Sequence, residues 1–280
     1  MKKIGFVDYY ISEWHANNYP AWIKAACEKL DVECEVSYVW AEKYISPVDN
    51  RNTDEWCAEF GAEKCETLEE LCEKSDYIIV LSPSNPEKHL EYAKTVLKYK
   101  KNTYIDKTFA PDYATAKEIF DIAEKYGTSF FSSSALRYAT ELDGFKGSAV
   151  IATTGGGGSL EEYLVHQAER LIAVADSTPI ALTMFLDEGS HIAKVEFDNG
   201  KLGFMKYSPD LSFALRAEWE NGFFKENLIV SDFFAALLTD IIRFFMDGVP
   251  SFDTKQTLDV IKIREGAIKG AAALGQKILL

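Results

Sequence analysis

The chain has 280 residues, 47% of them apolar, and 30 basic against 44 acidic side chains leave a formal charge of -14. That much apolar material can build one large or two ordinary domains without disulfide or metal staples, which excludes a disordered chain and a mini-protein scaffold. Without clustered Lys and Arg to release counterions, binding to a nucleic-acid backbone or an anionic membrane surface is excluded as well.

The amino-terminal stretch turns acidic and aromatic at Asp8 before a signal-like apolar core develops. No apolar run reaches the roughly 20 residues needed to cross a bilayer, so a cytoplasmic protein is expected. Cys27, Cys34, Cys57, Cys65 and Cys72 are odd in number, lack a C-x-x-C pair and lie in the first third. They read as reduced structural thiols.

In chain order, residues 3–7 form a short apolar run of strand type, 20–30 have helical spacing and 33–40 are β-rich. Thr67 and Glu70 form a T-x-x-E capping box that opens a short helix, and 77–81 read as a strand buried on both faces. A loop with two prolines at 82–86 leads into an amphipathic helix over 87–100. A strand at 103–105, a helix from Pro111 closed by Gly127, and a strand at 129–132 complete the first half. Repeated β-α-β units with right-handed crossovers predict an α/β fold, a Rossmann-like doubly wound parallel sheet over 1–136. In that architecture, ligands bind where loops converge beyond the carboxyl ends of the strands. That places 8–18, 82–86, 106–110 and 132–135 around one crevice.

After Arg137 the pattern changes. A glycine run at 153–158 reads as a flexible connection, followed by a helix at 160–175 and closely spaced strands at 180–186, 191–197, 202–207 and 213–219. Asp198-Asn199-Gly200 is a hairpin turn. Helices at 231–247 and 254–273 close a smaller α+β domain over 137–280 with a mostly antiparallel sheet.

The segment Tyr104-Ile105-Asp106-Lys107-Thr108-Phe109-Ala110-Pro111 delivers a carboxylate and an ammonium from a buried strand into the crevice. Taken with Leu81-Ser82-Pro83, His89 and Ala135-Leu136-Arg137-Tyr138, it resembles the Gfo/Idh/MocA family, the glucose-fructose oxidoreductase and inositol dehydrogenase relatives, whose strand here ends in E-K-P. Glu162-Tyr163-Leu164-Val165-His166-Gln167-Ala168-Glu169 is similar to the family's D-x-G-x-H-x-x-D segment.

The resemblance implies a NAD- or NADP-dependent oxidoreductase transferring hydride between a sugar or polyol carbinol and a nicotinamide, in a homodimer or homotetramer. It implies Lys107 on the reacting hydroxyl, His166 as base and Glu169, one turn on, as its orienting carboxylate, with Lys107 and His166 facing one cavity. Asp106, Arg137, Tyr138 and Glu162 fall to the substrate, and Asp8, Tyr10, Ile11, Ser82, Pro83 and Asn85 to the dinucleotide. No metal is expected, since no second His lies near His166. His15 and His89 are weaker candidates, His89 read as a packing or capping residue and His191 as solvent-facing.

The chain departs from the family in its first loop. No glycine follows Gly5 in 8–15, where G-x-G-x-x-G lets backbone amides reach a pyrophosphate, and Tyr9, Tyr10, Asp8 and Glu13 stand there instead. Pro20 suggests a late start for the following helix, Glu42 is the sole candidate for the acid that receives ribose hydroxyls, and Thr108 replaces the proline of E-K-P. Two other readings therefore stay open: a non-catalytic protein sensing a sugar or nucleotide, and a lyase or isomerase using Lys107 and His166 for proton transfer alone.

Overall fold

A computed structural model describes residues 1–280, which divide into two units, Met1–Ser133 with Phe234–Thr254, and Ser134–Phe233 with Lys255–Leu280. The carboxyl half is thus not one continuous segment, as the division at 136 assumed, because 234–254 group with the first unit.

The first unit is built on six parallel strands in the order β3-β2-β1-β4-β5-β6. Its elements are β1 (Lys2–Asp8), α1 (Trp14–Leu30), β2 (Cys34–Ala41), α2 (Thr53–Phe60), β3 (Glu63–Lys64), α3 (Leu68–Lys74), β4 (Tyr77–Val80), α4 (His89–Val96), β5 (Thr103–Ile105), α5 (Tyr113–Tyr126) and β6 (Phe130–Phe131). This is the doubly wound Rossmann order, with the strand sequence reversing between β1 and β4. The central strands are apolar on both faces, with Ile4, Phe6, Val7, Ile78, Ile79 and Val80 fully buried. Gly5 is needed for close packing, because a Cβ there would lie 2.3 Å from Ser75 Oγ.

Helix α1 starts at Trp14, with Pro20 in its interior, not at Pro20 as expected. The stronger local signal is Glu13, whose carboxylate caps the first turn and outweighs the one ladder hydrogen bond that Pro20 removes.

The second unit carries a seven-stranded sheet in the order β12-β11-β7-β10-β9-β8-β13. Its elements are β7 (Val150–Gly155), α6 (Leu160–Ala175), β8 (Pro179–Asp187), β9 (Ser190–Phe197), β10 (Leu202–Tyr207), β11 (Ala214–Glu218), β12 (Phe224–Leu228), α8 (Gln256–Ala271) and β13 (Lys277–Leu279), while α7 (Phe233–Asp247) belongs from Phe234 onward to the first unit. Only β7 and β10 pair in parallel. Leu164, Ala168, Leu171 and Ile172 of α6 pack with Val260, Ile263 and Ala267 of α8 and with the inner face of the sheet.

The glycine run is not a flexible connection. Gly155 ends a central strand, a Cβ on Gly156 would lie 2.2 Å from the Ser208 carbonyl oxygen, and one on Gly157 would overlap the Tyr163 ring. The glycines permit close approach of backbone to backbone. No helix is long and apolar enough to cross a membrane.

Candidate functional site

In the first unit the site lies at the carboxyl ends of β1, β4 and β5. Asp8, the last residue of β1, is 1% exposed. Its Oδ1 accepts from the amides of Tyr9 (2.7 Å) and Ser82 (3.1 Å) and from Ser82 Oγ (3.3 Å), while Oδ2 is buried without a partner. Ser82 turns its amide inward with φ of 60°, a left-handed conformation uncommon outside glycine. Glu13 takes the next amides, His15 N at 2.8 Å and Ala16 N. Burial, then the neighbouring Glu13, pushes the Asp8 carboxyl well above the ordinary range; burial also raises Glu13, against the pull of His15.

Asp106 follows β5 and is likewise buried. Its Oδ2 pairs with His15 Nδ1, and Oδ1 accepts from Lys107 N (2.8 Å) and lies 3.1 Å from the Tyr104 hydroxyl. Burial works to raise this carboxyl, but His15, Lys107 and the Lys107 amide together hold it below the usual range. The His15 ring stacks on Tyr19 with centroids 5.2 Å apart and meets Trp14 edge-on. Beyond it Trp22 and Phe234 stack at 5.1 Å, and Trp14 is 53% exposed. His15 was ranked a weak candidate and is one half of a buried pair with Asp106. Its partner is 91 residues away, so no local pattern announces it. Lys107 is half-buried, and its ammonium makes no hydrogen bond or ion pair.

Four further residues were expected at the dinucleotide. Ile11 and Pro83 are buried, Tyr10 is half-buried with its ring 5.9 Å from that of Tyr9, and Asn85 Nδ2 donates to Glu87. Glu42 follows β2, where the ribose acid was sought, but Lys88 and the Tyr92 hydroxyl occupy its carboxylate. The segment after it is fastened onto the start of α1: Ser46 Oγ donates to Ser12 O at 2.7 Å, and Arg51 donates to Ser12 Oγ and to Asn17 Oδ1. His89 is fully buried between the carbonyls of Leu81 and Phe109.

In the second unit His166 lies on α6, with Nδ1 2.7 Å from Ser134 Oγ. Glu169 stands one turn further along α6. Its carboxylate, 3% exposed, pairs with Arg137 Nε, and Arg137 Nη1 donates to Gln256 of α8 at 2.8 Å. Glu169 and Arg137, expected at catalysis and substrate, therefore brace α6 against α8 and the 135–138 turn that also carries the half-buried Tyr138. Glu162 stands in the first turn of α6, its amide donating to the Ser159 cap. Arg170, fully buried, donates to the carbonyls of His166, Thr154 and Ala214, and burial lowers its guanidinium to about 9. No group of three or more His, Cys, Asp or Glu is arranged to hold a metal ion.

Residues 42–133 match the family described as "Oxidoreductase family, NAD-binding Rossmann fold", Gfo/Idh/MocA. The match covers a third of the chain and lies within the first unit. Sixty residues are 37% identical to a protein of Escherichia coli K12 called uncharacterized oxidoreductase YhhX, a match covering 21% of this chain and 17% of that one. Over whole chains the fold is similar to myo-inositol dehydrogenase from Lactobacillus casei, solved with NAD(H) and myo-inositol (TM-score 0.80, 12% identity, 100% of this chain and 96% of that one). It is also similar to a probable dehydrogenase from Thermotoga maritima (TM-score 0.77, 13% identity, 99% and 98%). The likeness to these structures is one of fold and extends over both sheets.

Proposed function

We propose that the chain is a NAD(P)-dependent oxidoreductase that interconverts a carbinol and a carbonyl on a sugar or polyol. The observation that carries this reading is Lys107, an uncommitted ammonium delivered by β5 beside the Asp106–His15 pair, on a scaffold shared with dehydrogenases. A cation at that strand end steadies the oxygen that becomes negative as its proton leaves. His166, held by Ser134, is the proposed proton acceptor. The family's habit makes a homodimer or homotetramer the expected assembly.

The residues present do not fit a dinucleotide in the usual seat. There, amides at the β1 tip and the α1 start face a pyrophosphate, whereas here Tyr9, Ser82, His15 and Ala16 donate to Asp8 and Glu13. A charge about 4 Å from a like charge costs about 4 kcal/mol at an effective dielectric of 20. A bound dinucleotide supplies the hydride acceptor, and its phosphates must be held elsewhere or after these carboxyls give way. This same feature favours the second reading, a sensor of an uncharged sugar.

The test is reduction of NAD or NADP by the purified protein across a panel of sugars and polyols. Turnover that vanishes in Lys107→Ala supports the oxidoreductase. Saturable sugar binding without turnover supports the sensor.

A further inference from the structure

At the opposite end of the first sheet from the crevice, helix α1 runs out and the chain returns to start β2. Asp31 closes the helix in a left-handed conformation at φ of 54°, Val32 N reaches back to the Cys27 carbonyl at 3.1 Å, and the pairing of Lys2 N with Glu33 O fixes the start of β2. This tight return lays Cys34 over Cys27, with Sγ atoms 2.7 Å apart and Cys27 Sγ 3.5 Å from the Cys34 carbonyl. Non-bonded heavy atoms ordinarily rest about 3.5–4.0 Å apart, so the two sulfurs are pressed together without being joined. The hydrogen bond from Cys34 lowers the Cys27 thiol to about 7 and raises that of Cys34. The other three cysteines lie elsewhere, and burial pushes Cys57 and Cys65 up to about 11 and Cys72 to about 12.

The pair is reachable. A cavity of about 370 Å³ is lined by both cysteines together with Lys24, Glu28, Asp31 and Glu33. Three carboxylates against two ammonium groups, those of Lys24 and the Met1 amino terminus, disfavour an anionic reagent at its mouth and leave a small neutral one admissible.

We propose that Cys27 and Cys34 are a redox-active dithiol that hydrogen peroxide converts to an intramolecular disulfide. The Cys27 thiolate attacks one peroxide oxygen, the O–O bond breaks, and hydroxide leaves and is protonated to water, giving a sulfenic acid on Cys27. Cys34 then attacks that sulfur. The S–O bond breaks, and the departing hydroxide takes the Cys34 proton as a second water. Two thiols lose two electrons and two protons, and the peroxide is reduced to two waters. A low-pKa thiol beside a resolving thiol is the arrangement that redox-sensing cysteines share. The five cysteines are thus not all structural, as their spacing implied.

The experiment treats the whole chain with stoichiometric hydrogen peroxide, alkylates the remaining thiols and maps the peptides by mass spectrometry. Free thiols are expected to fall from five to three, with one disulfide joining Cys27 and Cys34 and full recovery under dithiothreitol. In Cys34→Ser, dimedone is expected to trap a sulfenic acid on Cys27. In Cys27→Ser, peroxide consumption is expected to fall at least tenfold. Five free thiols after treatment that oxidises free cysteine, or a disulfide between another pair, would overturn the proposal. The wild-type map needs no variant to fold, and its outcome is independent of whether the crevice turns over any sugar.

Discussion

The imidazole of His15 at the start of α1 and the carboxylate of Asp106 at the tip of β5 form one buried pair, closed on the Asp106 side by the Lys107 amide. Removing His15 leaves the buried Asp106 carboxylate without its ring partner. His15→Phe is expected to destabilise the protein by about 3 kcal/mol at neutral pH. Asp106 is held below its unfolded value, so its contribution is present above that value and lost as pH falls through the folded one. Urea denaturation should therefore show the gap between wild type and variant narrowing below about pH 4. A gap independent of pH contradicts the pairing.

Asp8 and Glu13 have the opposite sign. Both carboxyls are raised by burial, so their stabilising contribution is complete below the unfolded range and lost as pH rises through the folded values. Asp8→Asn keeps an oxygen for the amides of Tyr9 and Ser82 and removes the charge. It is expected to stabilise the protein by about 1–2 kcal/mol at pH 7, a gain that disappears near pH 4. A destabilised variant at pH 7 contradicts this.

Glu169 pairs with Arg137, and His166 Nδ1 lies against the Ser134 hydroxyl. Glu169→Gln leaves the Arg137 guanidinium without its carboxylate and is expected to cost about 3 kcal/mol in urea denaturation. The ring signals of His166 in NMR should move little in this variant and clearly in Ser134→Ala, since Ser134 holds Nδ1. The reverse pattern would restore Glu169 as the orienting group.

How far the sequence was legible depends on the distance over which each feature acts. Apolar runs gave β1, β4 and β5 within a residue or two, and the Leu160–Ala175 helix agrees at both ends. Helix α2 was missed although Asn52 and Glu55 form a capping box of the same kind as the one sought at Thr67. The helix start at Glu13 was hidden because Pro20 was weighed above an acidic cap. The His15–Asp106, Glu169–Arg137 and Cys27–Cys34 pairs depend on where the fold returns the chain, which residue spacing does not record.

The glycine run offers a local check. Gly156→Ala forces a Cβ against the carbonyl oxygens of Ser208 and Pro209 and is expected to cost about 2–4 kcal/mol. In Gly158→Ala the nearest atom lies 3.8 Å away, so a change within about 0.5 kcal/mol is expected. Equal effects in thermal denaturation would return the segment to a flexible connection.

Lys107 separates binding from folding. Lys107→Ala breaks no hydrogen bond, so the melting temperature should stay within about 2 °C, while turnover of any identified sugar or polyol should fall at least a hundredfold. Retained turnover removes Lys107 from the reaction.

The most direct measurement is a calorimetric titration of NADH at pH 7 into the wild-type protein and into the double variant Asp8→Asn with Glu13→Gln. Binding by both is predicted, at least tenfold tighter in the variant, because about 1.4 kcal/mol of repulsion relieved is one power of ten in affinity. An absence of heat from either folded protein at millimolar NADH would contradict the account.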